Sequence, residues 1–423
     1  MKKKTKSVDR DRPSPTGGAF IIPGYKQFGG KQSEAGALRN VLAHLGVVAP
    51  QTGEPFSEEM LFGIGGGIGL GYFVYASSDF TSLFIATRIT TEESARPGFL
   101  QTICGRIGVS ATVQHSSSAQ AAEKNLKQAL AQGGPPIVWV NPMALPYYGT
   151  PQAYHTLVVY GYDDEESKFY VADRCDQALV LTRSELAAAR QSGGVPKLRA
   201  LMVDAPPPAK ALDLRKAVKE GLRDFCGQMQ EGFSSANFRS NFGLKALEKW
   251  ADLLTHPKDK RGWPKFFPSG PRLFEALLSA YDQIENRGSG GSAFRPMYAD
   301  FLVEANHILG KRELNEVAEQ FRESARLWSD LGKALLPDSV PLFKETRQLA
   351  TRKRTLFEGN GAAAQAEMPA INRRLAEIKS QVEKAFPLKE DEVRDLLADL
   401  RARVLVIHAA EEKAVVVLQS LVH

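Results

Sequence analysis

Three residues far apart in this 423-residue chain have the types that acyl-transfer chemistry requires: Ser33, His155 and Asp173. A hydroxyl or thiol nucleophile needs a base within hydrogen-bond reach, and that base needs a third group to orient it. Ser33 stands where the Gly29-Gly30 turn runs into a helical pattern. Leu38, Val41, Leu42 and Leu45 recur there at helical spacing, and Gly46 sits where a helix C-terminal glycine belongs. A side chain at such a helix start meets unpaired backbone N–H groups and the positive end of the helix dipole, which stabilise developing negative charge. Serine is also a preferred N-cap, so Ser33 has a purely structural alternative. His155 lies in the apolar strand Tyr154–Tyr162, and Asp173 ends the strand from Phe169. The turn Asp163–Glu166 makes these two strands a hairpin that can bring His155 and Asp173 onto one face. Their structural alternatives are a core histidine and a strand-end turn residue. Gln27, six residues before Ser33, adds a side-chain amide.

The elements that must position these groups follow from composition and punctuation. At 43% hydrophobic and 24% charged, the chain is long enough for a sizeable core. No apolar run reaches the roughly 18 residues of a membrane span. Residues 1–18 are a basic, polar tail without the apolar stretch of a secretory signal. Cys104, Cys175 and Cys226 form neither a disulfide framework nor a zinc pattern, as expected of a cytoplasmic protein. Net charge is +6, but Lys and Arg alternate with Asp and Glu along helices, and no aromatic-basic nucleic-acid motif occurs.

Residues 19–205 mix short strands and helices. The stretch 206–211, with Pro206-Pro207-Pro208, reads as a linker, and 212–423 carry eight amphipathic helical patterns without a repeat. The glycine run Gly63–Gly71 fits no phosphate-binding motif. It reads instead as close backbone approach, with Gly66, Gly67 and Tyr72 beside an active centre or an acyl chain. Arg39 and Asn40 on the Ser33 helix are packing or substrate-facing residues.

The chain order nucleophile, His, Asp differs from that of α/β-hydrolases and of chymotrypsin-type enzymes, and no G-x-S-x-G is present. The order resembles the papain-like fold, in which a Gln precedes the nucleophile at this spacing. The run A-L-R-N-V-L-A-H-L-G, with S-E-E-M-L-F-G-I-G-G-G-I-G behind it, resembles the butirosin biosynthesis protein H family more closely. In the helical half, Asn241–Leu244 and Gly288–Tyr298 resemble the domain that accompanies it, whose function is unsettled.

The resemblance implies a papain-like α/β (α+β) domain followed by an all-α bundle, and a cofactor-free acyltransferase. Such an enzyme moves an acyl group from a carrier-protein thioester, or a similar donor, to a small amine through an acyl-enzyme, in specialised-metabolite biosynthesis. It implies Ser33 as nucleophile, His155 as base, Asp173 as orienter, and the Gln27 amide with the Ser33 N–H as oxyanion hole. Gly288–Gly291, with Arg295 and Tyr298, would line the acceptor site or simply connect two helices. The family helix usually opens with His-Cys, where this chain has Gln32 and Ser33. Three states follow for residue 33: a serine enzyme, a cysteine enzyme whose sulfur has been replaced, or a site without chemistry. A papain-like peptidase or amidase and a non-catalytic binding protein are the rival functions. The sequence leaves a homo-oligomer open.

Overall fold

The computed structural model describes residues 18–76, 81–88, 98–148, 155–192, 198–204, 212, 214–232, 236–287 and 290–422. The tail 1–17, Ser94, Tyr154, the 206–211 linker and Gly288–Ser289 lie outside them. The N-terminal half runs β1 (Ala19–Ile21), α1 (Ser33–His44), α2 (Glu58–Ile64), β2 (Gly71–Ala76), β3 (Thr81–Ala86), α3 (Phe99–Ile107) and β4 (Ala111–Gln114). It continues through α4 (Ala119–Ala131), β5 (Ile137–Val140), β6 (His155–Asp163), β7 (Lys168–Ala172), β8 (Leu179–Thr182), α5 (Arg183–Gln191) and β9 (Ala200–Val203). Thr182 caps α5 in a reciprocal capping box with Glu185.

Among the described residues, seven strands form one antiparallel sheet in the order β4-β9-β5-β6-β7-β8, with β1 also on β6. Where β1 crosses β6, a Cβ on Gly161 would stand 2.7 Å from the Phe20 carbonyl oxygen, which accounts for the glycine. Alternation along β6 separates two cores. Val158 and Tyr160 pack with the apolar face of α1 and with α2 and α3. Leu157 and Val159 pack with Leu126 and Leu130 of α4 and Leu186 of α5.

The C-terminal half is all-α: α6 (Leu214–Gln230), α7 (Gly243–Thr255), α8 (Trp263–Phe266), α9 (Pro271–Glu285), α10 (Arg295–Leu309), α11 (Glu313–Leu335), α12 (Pro341–Asn360), α13 (Met368–Lys384) and α14 (Glu390–Val422). The amphipathic patterns locate all of these except the one-turn α8, whose buried Trp263 donates to the Tyr72 hydroxyl at 2.8 Å. The expected class, α/β then all-α, is the architecture observed. The halves are nevertheless interlocked. The β2–β3 hairpin packs on α7 and α9, Gln283 accepts from the Ile85 N–H at 2.8 Å, and Gly71 bridges to Phe242. The glycine run belongs to this seam. A side chain on Gly63 would overlap the Phe301 ring, and one on Gly221 would overlap the Gly63 carbonyl. Gly63 and Gly221 let α2 and α6 touch backbone to backbone, and Gly63 also leaves room for the Phe301 ring of α10.

Candidate active site

Register places His155 and Asp173 together. Val158 pairs with Ala172, so Asp173, one step beyond β7, comes opposite Leu157. His155 lies two residues from Leu157 and on its face, diagonal to Asp173. His155 Nε2 meets the Asp173 carboxylate oxygens at 2.7 and 2.8 Å, and both side chains are buried. Asp173 also accepts from the Tyr147 hydroxyl at 3.1 Å and the Arg174 N–H at 2.7 Å. Burial alone would raise the Asp173 carboxyl. His155 and Arg174 outweigh it and hold the group below its ordinary value. Burial, and then the Asp173 charge, push the Tyr147 phenol well above its ordinary value, so Tyr147 is a donor here. His155 Nδ1 is buried and has no hydrogen-bond partner among the described residues. The Tyr148 ring lies beside His155, with centroids 5.0 Å apart.

The start of α1 is built by other residues. Gln32, not Ser33, is the N-cap: its side-chain oxygen accepts from the Ala35 N–H. Ser33 is therefore the first helical residue, half-buried and relieved of capping. Its N–H belongs to the first turn, where no intrahelical acceptor exists. The buried Glu58 carboxylate accepts from the Lys31 N–H at 3.0 Å and the Gln32 N–H at 2.6 Å, fixing the preceding loop. Burial, against those two bonds, pushes the Glu58 carboxyl up to about 7. Asn40 is a packing residue: it holds Phe28 through the Phe28 N–H at 2.7 Å and the Phe28 carbonyl at 3.3 Å. Arg39 lies over the Phe28 ring.

Arg174 connects the two sets. Its carbonyl accepts from the Gly30 N–H at 2.7 Å, and its guanidinium donates to the Lys31 carbonyl at 3.2 Å and the Tyr148 hydroxyl at 2.6 Å. The helix start is thus tied to the turn after Asp173. α1 packs on the opposite sheet face from His155, so any contact between Ser33 and His155 has to run around the start of β6. Among the described residues no hydrogen bond joins them.

Six positions expected at the site have other work. Both amide hydrogens of Gln27 are spent on the Cys175 and Gln177 carbonyls, at 2.6 and 2.7 Å. Gln27 therefore clamps the turn beyond Asp173 rather than presenting donors to a pocket. Gly66 packs against Gln228 and Asp224, and Gly67 against the Tyr298 ring. Tyr72 is buried and stacked on Trp250. Arg295 is fully buried, forked onto Glu411 at 2.8 Å through two nitrogens. Glu411 also accepts from Ser324 and Trp328. Tyr298 is fully buried among Phe225, Phe301 and Phe321. Close approach, as the glycines suggested, is correct, but what approaches is the helical half and not an acyl chain. The Gly290 position does reach the α1 loop: a Cβ there would lie 3.2 Å from Lys31 Cβ.

Phe357 of α12 stacks on Tyr147 with centroids 5.4 Å apart, so the helical half also backs the His–Asp pair. Glu58, Tyr147, Tyr148, Arg174 and Phe357 escaped sequence reasoning. Only Arg174, next to Asp173, and the Tyr147-Tyr148 pair carried any local signal. A wider cavity of about 990 Å³ opens between α4 and α5 and includes none of the expected site residues.

The family model of butirosin biosynthesis protein H, N-terminal, matches residues 32–174, from the α1 cap to Arg174. A second model, a domain of unknown function (DUF4872), matches residues 184–358, from α5 through α12. No curated protein matches the chain. No helix among the described residues is long and apolar enough to cross a membrane.

Proposed function

The chain belongs to the butirosin biosynthesis protein H-like family, and on that footing we propose that it is an amide-forming acyltransferase of specialised-metabolite biosynthesis, working through an acyl-enzyme at residue 33. The donor is an acyl-carrier-protein thioester or similar thioester, and the acceptor is a small amine. His155 Nδ1 takes the proton from the residue-33 side chain as that side chain attacks the thioester carbonyl. The same proton leaves with the carrier thiol. The amine then attacks the acyl-enzyme, His155 takes its proton, and returns it to residue 33. Asp173 fixes the imidazole and stabilises its charged form. The free N–H groups of the first α1 turn face the developing oxyanion.

One observation carries this reading: His155 is oriented through Nε2 by a buried carboxylate and keeps Nδ1 without a partner. A merely structural histidine in a buried layer would be expected to use both nitrogens. Retention of the His155–Asp173 pair in a chain with serine at position 33 favours a cysteine site altered by one atom over a decayed one. A papain-like fold for the N-terminal half is part of the same proposal, and the ordering of helix start, His strand and Asp strand supports it. The test is amide formation from an acyl-carrier thioester with a panel of amines, hydrolysis followed in parallel, for the chain and its Ser33→Ala and Ser33→Cys variants. Transfer that is absent in Ser33→Ala and raised in Ser33→Cys supports the proposal, whereas hydrolysis alone assigns an amidase or peptidase.

A second reading, a binding protein without catalysis, draws on Gln27, whose amide is committed to backbone carbonyls. It expects no turnover in any of the three forms.

A further inference from the structure

Where α12 and α9 meet the tyrosines behind Asp173, a cavity of about 80 Å³ lies in the seam between the two halves. Arg174, Arg287, Lys353 and Arg354 line it, against Asp282 as the carboxylate of the lining. These cations come from three separate segments: the turn after β7, the turn after α9, and α12. The Nε–H groups of Arg174, Arg287 and Arg354 are all buried and have no hydrogen-bond partner among the described residues. Their other nitrogens are only partly occupied. Arg174 reaches Lys31, Tyr148 and, at 3.7 Å, Glu358; Arg287 meets Asp282 at 3.5 Å; Arg354 donates to the Glu285 carbonyl. Lys353 forms no hydrogen bond or ion pair among the described residues, and burial lowers its pKa.

Orphaned buried donors are costly, and three guanidinium groups converge on this one small cavity. The excess of positive charge calls for more than a single negative charge. Guanidinium forks suit the oxygens of phosphate. We propose that this cavity binds a phosphoryl group, as the free anion or as the phosphate end of a pantetheine-type thioester donor. The second source rests on the acyltransferase reading, whereas the anion site does not. Asn286 Oδ1, a buried acceptor without a partner on the same wall, is satisfied by a hydroxyl or amide of an organic phosphate. Tyr148 separates the cavity from His155 by one ring, so an occupant sits beside the catalytic pair and bridges both halves of the chain.

Isothermal titration calorimetry on the full chain, at constant ionic strength, tests this with inorganic phosphate, 4′-phosphopantetheine and pantetheine. The expected result is one-to-one binding of the phosphate-bearing probes and none of pantetheine. Lys353→Gln, which breaks no existing contact, should weaken binding about tenfold or more, as should Arg354→Gln, since each removes a charge-assisted contact. Tighter binding of 4′-phosphopantetheine than of inorganic phosphate assigns the site to the donor; equal binding assigns it to the free anion. Absence of binding by both phosphate probes overturns the proposal. So does pantetheine binding as tightly as 4′-phosphopantetheine, or unchanged binding in both variants. Titration reads no turnover, so failure of the acyltransferase assay would leave this result standing.

Discussion

Arg174 donates to the Lys31 carbonyl at 3.2 Å and thereby fastens the turn that carries Asp173 to the loop that launches α1. The chain separates these residues by more than a hundred positions. One buried guanidinium makes the placement of His155, Asp173 and Ser33 a single problem rather than three.

Replacing the orienting carboxylate should disable the base without unfolding the protein. In the Ser33→Cys chain, where transfer is expected to be highest, Asp173→Asn should lower it by roughly 10³–10⁴-fold, the scale of losing the tautomer-fixing acid in a triad. The same change should alter acid stability. The folded-state Asp173 carboxyl is held below its unfolded value, so its stabilisation is complete above about pH 4. It is lost as pH falls through the lower folded value. Urea unfolding between pH 2 and 7 should show this acid-side loss in the wild type and a smaller one in Asp173→Asn. Equal slopes would remove the carboxylate from the account.

Glu58 should act with the opposite sign. Its folded-state carboxyl is raised to about 7, so the native state holds a proton that the unfolded state has released. Stability at this site is present below about pH 4.3, the unfolded value, and falls as pH rises towards 7. Glu58→Gln should flatten that decline, which amounts to a few kcal/mol at ~1.36 kcal/mol per unit. An unchanged slope in Glu58→Gln would show that Glu58 is ionised without penalty.

Gln27 separates the clamp from an oxyanion donor. Gln27→Ala should lower the melting temperature, because two backbone carbonyls lose their donors, at about 1–3 kcal/mol. Transfer per folded molecule should fall by less than tenfold. A loss of a hundredfold or more with an unchanged melting temperature would return Gln27 to the oxyanion hole.

The Arg295–Glu411 pair should behave as core. Arg295→Met leaves Glu411 buried and unpaired, which should cost about 3–5 kcal/mol in chemical denaturation. If instead stability holds and only the KM for the amine rises, Arg295 serves the acceptor.

What could be read from the sequence is what local periodicity encodes. Strand alternation placed His155 and Asp173 on one face, and helical spacing placed α1 and all but one of the C-terminal helices. Punctuation was less informative. Gln32 took the cap that serine usually takes, because Glu58 already holds the backbone before it. The glycine run correctly signalled close approach, yet its partners, Phe301, Tyr298 and Gly221, lie more than 150 residues away. Arg295 stood beside a flexible-looking loop, and only the fold reveals Glu411 waiting for it. Long-range ion pairs and ring contacts leave no local trace, so the support of the site was hidden where its chemistry was visible.

In the proposed reaction residue 33 carries the acyl group. Intact-mass measurement after incubation with an acyl-carrier thioester, in the absence of amine, tests it most directly. The expected result is a mass increase equal to one acyl group in Ser33→Cys, mapped to the peptide that opens α1, weaker or absent in the wild type and absent in Ser33→Ala. No adduct in Ser33→Cys, or an adduct of equal size in Ser33→Ala, would contradict it.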